Sequence, residues 1–278
     1  MKPSETLANV QRTAGWLKKK ATGFKPVTAI IAGSGIGNSL PRLKDVISIP
    51  YSSIPGFPAT TVKGHAGELV FGRMGGKDVV MMRGRFHYYE GRALSFIAFP
   101  IRVLASLGVK NLLLTAAVGS LKPAIKPGDM VILKDHLNLM GSNPLMGNHH
   151  EAFGAMFPDL NDPYDVPLRR EAMKLARELK IRALEGVYTA VTGPSYETPA
   201  EVKMYRMLGG DIAGMSVAPE TITARQLKLR VAALCWVSNF TSGISGTVLT
   251  HDEVLKLGRK ISEKMRALLE GLLKSKIL

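Results

Sequence analysis

Between residues 191 and 220 the chain writes the same local structure twice: an extended run, a glycine-containing turn, then a helix start. In the first copy a strand over residues 186–192 breaks at Gly193-Pro194. Thr198 is a good N-cap, Pro199 fits the first helical position, and Glu201 follows the cap by three residues, completing a capping box. That arithmetic leaves Glu197 just outside the helix and free of capping duty. In the second copy Gly209-Gly210 closes the helix, residues 211–215 read as a short extended segment, and Pro219 can open another helix. Ser216 then stands just before a helix N-terminus, where unpaired N–H groups and the dipole favour an anion. Strands that feed helices in this way must bury a sheet against them. The two loops, one with a carboxylate and one with an anion seat, form a candidate active site.

The rest of the chain extends the pattern. Leu7, Val10, Ala14 and Leu17 recur at helical spacing over the first 20 residues. Residues 27–32 read as a buried strand running into Gly33-Ser34-Gly35-Ile36-Gly37. This is not a dinucleotide fingerprint, because the third glycine comes early and 38–41 does not open a helix; nor does a P-loop lysine follow. What remains is a strand-end loop whose backbone N–H groups and Ser34 hydroxyl suit a phosphate. Strands follow at 46–49, 68–73 and 78–82, the last two joined as a hairpin by Gly75-Gly76. The third runs into Arg83-Gly-Arg-Phe-His-Tyr-Tyr-Glu-Gly91, where Arg85, His87 and Tyr89 alternate and, in extended chain, project to one face. Arg85 supplies a planar donor fork suited to phosphate, and His87 a second donor.

A helix over 95–107, interrupted by Pro100, precedes a strand at 111–116 that ends in the small residues of Ala117-Val-Gly-Ser120. A strand at 130–134 leads into a long aperiodic segment, 135–165, of a length that is usually functional or interface-forming. His149 and His150 are adjacent, a poor arrangement for one metal, and no other ligand spacing exists; no metal is expected. Residues 168–179 form a helix and 231–238 a buried strand ending at Ser238-Asn239. Thr250-His251-Asp252-Glu253 repeats the capping box, placing His251 at the first position of a helix that buries Val254, Leu257, Ile261, Met265, Leu268 and Leu272. With no linker or internal repeat, the reading is one α/β domain over residues 1–278 around a largely buried sheet.

Charge and composition narrow the partners. The net charge of +15 is large, but Lys and Arg are dispersed and only Lys18-Lys19-Lys20 forms a run. No basic stretch is interleaved with aromatics, so a nucleic-acid partner is not expected; the charge reads as solvated surface with a bias toward small anions. The sequence contains no apolar run long enough to span a membrane and its first residues lack a secretory h-region, so the expected compartment is the cytoplasm. The lone Cys235 lies in an apolar run and reads as core packing.

Taken together, Gly33-Ser-Gly-Ile-Gly37, Gly84-Arg-Phe-His-x-Tyr-Glu-Gly91, Gly193-Pro-Ser-Tyr-Glu-Thr198, Gly214-Met-Ser216, Ser238-Asn239 and His251-Asp-Glu-Val254 resemble, in order, the trimeric purine nucleoside phosphorylases specific for 6-oxopurines. The resemblance implies a twisted, mixed, barrel-like central β-sheet flanked by helices, and a homotrimer. It also implies phosphate-dependent cleavage of inosine or guanosine, without a cofactor, inorganic phosphate being a co-substrate. Under it, Ser34, Arg85, His87, Ser216 and the backbone N–H of Ala116 would bind phosphate. Tyr89, Met215 and His251 would contact the ribose, Tyr196 would stack on the purine, and Glu197 and Asn239 would recognise the base. Phe157 would cover the ribose of a neighbouring subunit. His87, Glu197, Asn239 and His251 would carry the catalytic roles. Departures are Thr115-Ala-Ala-Val-Gly119 where many members have Asn-Ala-Ala-Gly-Gly, and Ser238 in place of the more usual Thr. The competing readings are a methylthioadenosine phosphorylase, which would want an acidic residue at 239, and a non-catalytic nucleoside-binding relative, which should have lost Arg85, His87 or Glu197.

Overall fold

A computed structural model of the chain describes residues 3–33, 40–57, 66–244 and 251–278, and for 251–260 the backbone only. The elements are α1 (Pro3–Lys20), β1 (Thr28–Ile31), β2 (Lys44–Pro50), β3 (Glu68–Met74), β4 (Lys77–Arg83), α2 (Leu94–Ser106), β5 (Asn111–Ser120), β6 (Met130–Asn138) and α3 (Val166–Glu178). They continue with β7 (Ala183–Ala190), α4 (Pro199–Met207), β8 (Ile212–Gly214), α5 (Ala218–Gln226), β9 (Arg230–Phe240) and α6 (His251–Lys274). The nine strands form one mixed sheet in the order β2-β3-β4-β1-β5-β8-β7-β6-β9. Because β9 also returns to pair with β5, the last five strands close into a barrel.

Alternation along the inner strands explains why the sheet is covered on both faces. Ala29, Ile31, Leu112, Leu114, Val231, Ala233, Cys235 and Val237 join an apolar cluster that includes α1, α2 and α5. Their neighbours Ile30, Ala32, Leu113, Ala232, Leu234 and Trp236 join a second cluster with α3 and α6. A strand buried on both faces reads as a near-continuous apolar run, as these do. Val10, Ala14 and Leu17 of α1, and Ile261, Met265, Leu268 and Leu272 of α6, are buried as their spacing predicts. Val254 and Leu257 lie outside the described side chains. Cys235 is buried and its thiol is pushed up to about 12 by burial, in keeping with a packing role.

Strand β5 sets where the site can be. Its whole length pairs in parallel with β9 on one edge, from Asn111↔Arg230 to Ser120↔Phe240. On the other edge its first residues pair with β1 (Thr28↔Asn111 to Ile31↔Leu114) and its last two with β8 (Gly119↔Ala213, Ser120↔Ile212). Among the described residues, Thr115–Val118 has no strand partner on that edge. The sheet is split there, and backbone groups face a gap.

Four sequence expectations are amended. Residues 135–138 are not loop but the end of β6, held by pairing from Asp135↔Val187 to Asn138↔Ala190. Asn239 lies inside β9 rather than after it, because β5 continues as far as Ser120 and pairs with it. Pro100 does not interrupt α2: the helix is continuous, since burial of Leu94, Ile97, Ile101 and Leu104 outweighs one missing backbone hydrogen bond. The extended chain expected through Tyr89 stops at His87, and Tyr88–Glu90 form a single 3₁₀ turn. The capping box at Thr198, Pro199 and Glu201 is present as read.

Candidate active site

Loops after β4, β7 and β8, together with the end of β9, converge on the gap in β5. They enclose a cleft of about 210 Å³ lined by Arg85, His87, Tyr89, residues 116–119, Tyr196, Glu197, residues 213–216, Ser238 and Asn239. The structure thus brings together Arg85, His87, Tyr89, Ala116, Tyr196, Glu197, Met215, Ser216 and Asn239, all singled out from the sequence. Ser34 and the His251 side chain lie outside the described residues. Phe157 does not line this cleft; it is 85% exposed on the long segment between β6 and α3.

The cleft carries a buried guanidinium, ion-paired with a buried carboxylate. Arg85 is 1% exposed. Its Nη1 donates to Thr115 O at 2.7 Å and to Ser216 Oγ at 3.2 Å, and its Nε donates to Glu220 Oε1 at 2.8 Å. The imidazole of His87 stacks on Tyr89 with ring centroids 4.7 Å apart. Glu90 steadies the turn, accepting from the His87 backbone N–H at 2.7 Å, with its carboxylate 3.5 Å from Nδ1. Ser216 is presented by an unusual backbone. Val217 has φ 65° and ψ −56°, and Ala218 N donates to Ser216 O at 2.7 Å, which makes Val217 the centre of a strained γ-turn. A β-branched residue at positive φ stores about 1–3 kcal/mol, and such strain persists where surrounding contacts over-determine it. Here Tyr188 OH, which accepts from Ser216 N at 3.0 Å, is one of those contacts. A Cβ on Gly214 would come within 2.4 Å of that hydroxyl, so only glycine lets the loop close over Tyr188.

The same cleft carries an amide and a second carboxylate. Glu201 takes the capping role at Thr198, accepting from its backbone N–H at 2.8 Å, and Glu197 is left facing the cleft. Burial, with a smaller push from Glu201, raises the Glu197 carboxyl above its ordinary value, against a lowering hydrogen bond from its own backbone. Asn239 is oriented on both sides: Nδ2 donates to Phe240 O at 2.9 Å, and Oδ1 accepts from Ser238 Oγ. Tyr196 is 79% exposed beside them. Burial raises the phenol of Tyr89, which keeps it a neutral donor.

Sequence reasoning missed Glu90, Thr115, Tyr188 and Glu220. Glu90 had a local signal, its place three residues after His87. Glu220 had a fainter one, a lone acidic residue in a helix whose other buried members carry no charge. Thr115 and Tyr188 act through contacts remote in sequence, and nothing local marks them.

A closed mixed barrel whose cleft holds a buried arginine with an amide and a carboxylate defines a class, and residues 28–274 match the phosphorylase superfamily. Purine nucleoside phosphorylase 1 of Geobacillus stearothermophilus is 45% identical over 252 residues, covering 91% of this chain and 92% of that one. Two crystal structures of Schistosoma mansoni purine nucleoside phosphorylase are also similar. The one in complex with adenosine superposes with TM-score 0.90 at 41% identity, covering 98% of each chain. The one in complex with inosine has TM-score 0.89 at 42% identity, covering 96% of each. The chain belongs to the phosphorylase superfamily and, within it, to the purine nucleoside phosphorylases.

The raised Glu197 has a measurable consequence. A carboxyl whose folded pKa lies above its unfolded value contributes stability that is fully present below the unfolded pKa and is lost as pH rises through the folded one. Glu197→Gln is therefore expected to melt at a higher temperature than wild type at pH 7, with the gain shrinking to nothing below about pH 4, where the unfolded carboxyl is also protonated. Thermal unfolding of both proteins across that range checks this; a constant difference would mean that burial does not strain this carboxylate.

Proposed function

We propose that this chain is a purine nucleoside phosphorylase that cleaves inosine, guanosine and their 2′-deoxy forms with inorganic phosphate, releasing the purine and (deoxy)ribose 1-phosphate. The observation that carries the reading is that Arg85, bonded to Ser216 and to Thr115 O, lines one cleft with Glu197 and with Asn239, which pairs with Gly119 further along β5. Phosphate would sit against Arg85, His87, Ser216 and the Ala116 N–H in the gap of β5, with Ser34 closing the seat. Ribose would lie on Tyr89, Met215 and His251, and the purine against Tyr196, Glu197 and Asn239. A phosphate oxygen forms the bond to C1′ while the bond from C1′ to the base nitrogen breaks, and the electron pair leaves with the base. Fixed donors then act where charge develops: Asn239 on the departing purine, and the Nη2 side of Arg85, whose Nε and Nη1 are held by the protein, on the phosphate. Phosphate is a co-substrate and the donor set calls for no other cofactor.

This reading predicts that release of hypoxanthine from inosine stops in phosphate-free buffer. Arg85→Ala should lower kcat/KM for phosphate by about 10- to 150-fold, the worth of charge-assisted hydrogen bonds at roughly 1.5–3 kcal/mol. Equal base release without phosphate would make the protein a hydrolase.

Base choice follows from hydrogen-bond polarity. A 6-oxopurine offers an N1–H donor to Glu197, and its O6 and N7 accept from Asn239 Nδ2, which has a second hydrogen beyond the one bonded to Phe240 O. Adenine has an acceptor at N1 and a donor at C6, so Glu197 would need a proton and the Asn239 amide would have to turn over. Turning over would set Oδ1 against Phe240 O and lose that bond, while the Ser238 hydroxyl would accept from Nδ2 and donate to Val118 O instead. A related enzyme crystallises with adenosine, so the discrimination is expected in turnover more than in occupancy. The expected ratio of kcat/KM for inosine over adenosine is on the order of 10⁴. Asn239→Asp should shrink it, because a carboxylate accepts from the 6-amino group. An unchanged ratio removes Asn239 from base recognition.

The same reading makes the protein a homotrimer in the cytoplasm. Met146, Met156 and Phe157 stand exposed on the long segment, an apolar surface that suits a second copy, and no helix among the described residues is long and apolar enough to cross a membrane. If Phe157 covers a neighbour's ribose, Phe157→Ala raises the nucleoside KM and leaves the phosphate KM unchanged. Light scattering showing an active monomer, or normal nucleoside kinetics for the variant, counts against the shared site.

A further inference from the structure

The buried guanidinium rests on a second layer of side chains that never reach the cleft. We propose that Glu220 is a positioning residue for the phosphate seat, acting only through Arg85; this rests on the phosphorolytic reading above. Glu220 lies in the first turn of α5, is 3% exposed, and does not line the cleft. Its Oε1 accepts from Arg85 Nε, while its Oε2, also buried, has no hydrogen-bond partner among the described residues. The carboxylate therefore makes one hydrogen bond, and that bond is to the guanidinium.

Stability alone gives little reason for a carboxylate here. A buried ion pair is often no better than an apolar pair of the same volume, and the neighbours of Glu220 along α5 are already buried and uncharged. Geometry gives a reason. A guanidinium is planar, and a fork presented to phosphate is useful only if its plane is fixed. Thr115 O and Ser216 Oγ hold Arg85 at Nη1, the second of them at the longer distance of 3.2 Å. Glu220, in the first turn of the helix that follows Ser216, adds a 2.8 Å hold at Nε, so the guanidinium is anchored at two nitrogens. The hydroxyl that shares Nη1 is itself fixed from below, since Tyr188 OH accepts from Ser216 N. The seat is thus set before phosphate arrives.

The test is steady-state kinetics of the full-length enzyme with inosine and phosphate varied separately. Glu220→Met removes the acceptor but keeps the length; the phosphate KM is expected to rise about tenfold while the inosine KM stays within about twofold. Glu220→Gln keeps an acceptor for Nε, and its amide N–H₂ takes the place of the unbonded oxygen, so it should restore the phosphate KM to within about threefold of wild type. In an Arg85→Ala background Glu220→Met should add nothing, because the residue through which it acts is gone. If Glu220→Met fails to fold, Glu220→Asp, whose carboxylate is one methylene short, carries the same expectation. The proposal is overturned if both KM values move together or neither moves, if Gln is no better than Met, or if the effects of Arg85→Ala and Glu220→Met add. Wild-type cleavage without phosphate would overturn the phosphorolytic reading by itself, whatever the variants do.

Discussion

Everything in the site depends on how β5 shares its edges. One edge is satisfied along its full length by β9, which closes the barrel. The other is divided between β1 and β8, which reach it from opposite ends and leave Thr115–Val118 without a strand. Backbone groups left in such a gap need other partners, and Arg85 takes Thr115 O, while the Thr115 hydroxyl in turn accepts from Gly33 N. The catalytic cleft is what remains of the gap once those bonds are made. This is why residues from the ends of β4, β7, β8 and β9, distant in sequence, meet at one strand.

Burial at that gap makes Arg85 both effective and demanding. A guanidinium this deep is weakly screened, so an anion beside it gains more than it would at the surface. The same depth penalises any loss of its partners, which is why Thr115, Ser216 and Glu220 surround it and why the strain at Val217 is tolerated. The raised Glu197 shows the same exchange in the same cleft. Each of these groups is less comfortable in the folded protein than a neutral, relaxed substitute would be. The strained Val217 also packs in the larger apolar cluster, so the core beneath the cleft holds that strain in place.

What the sequence disclosed and what it hid divide along one physical line. Helix starts are written locally: Thr198, Pro199 and Glu201 name their own cap, and the structure has it. Buried strands show as apolar runs, and the loop residues Arg85, His87, Glu197, Ser216 and Asn239 stood out by their chemistry and the motifs around them. Pairing over long sequence separations left no such mark. That β9 returns to β5 about a hundred residues later cannot be seen in either run alone, and the extension of β6 through Asn138 depends on β7 being there to pair with it. For the same reason Tyr188 was invisible and Glu220 only faintly marked: one is a strand tyrosine and the other a helix glutamate until Ser216 and Arg85 are placed against them.

The grading of exposure along the cleft fits the order of the chemistry. Arg85, His87 and Ser216, proposed to seat phosphate, are all buried, whereas Tyr196, proposed to meet the base, is largely open. Phosphate arrives fully charged, so its seat must be rigid and already desolvated if binding is not to consume the interaction in rearranging side chains. The purine arrives neutral and becomes charged only as its bond breaks. Donors there are most useful when their strength grows with that charge, and a wall that closes late does not hinder entry or release of a flat base. Buried donors where the anion is proposed to bind, and an open wall where the base is proposed to leave, suit phosphorolysis, which must hold a charged nucleophile in place.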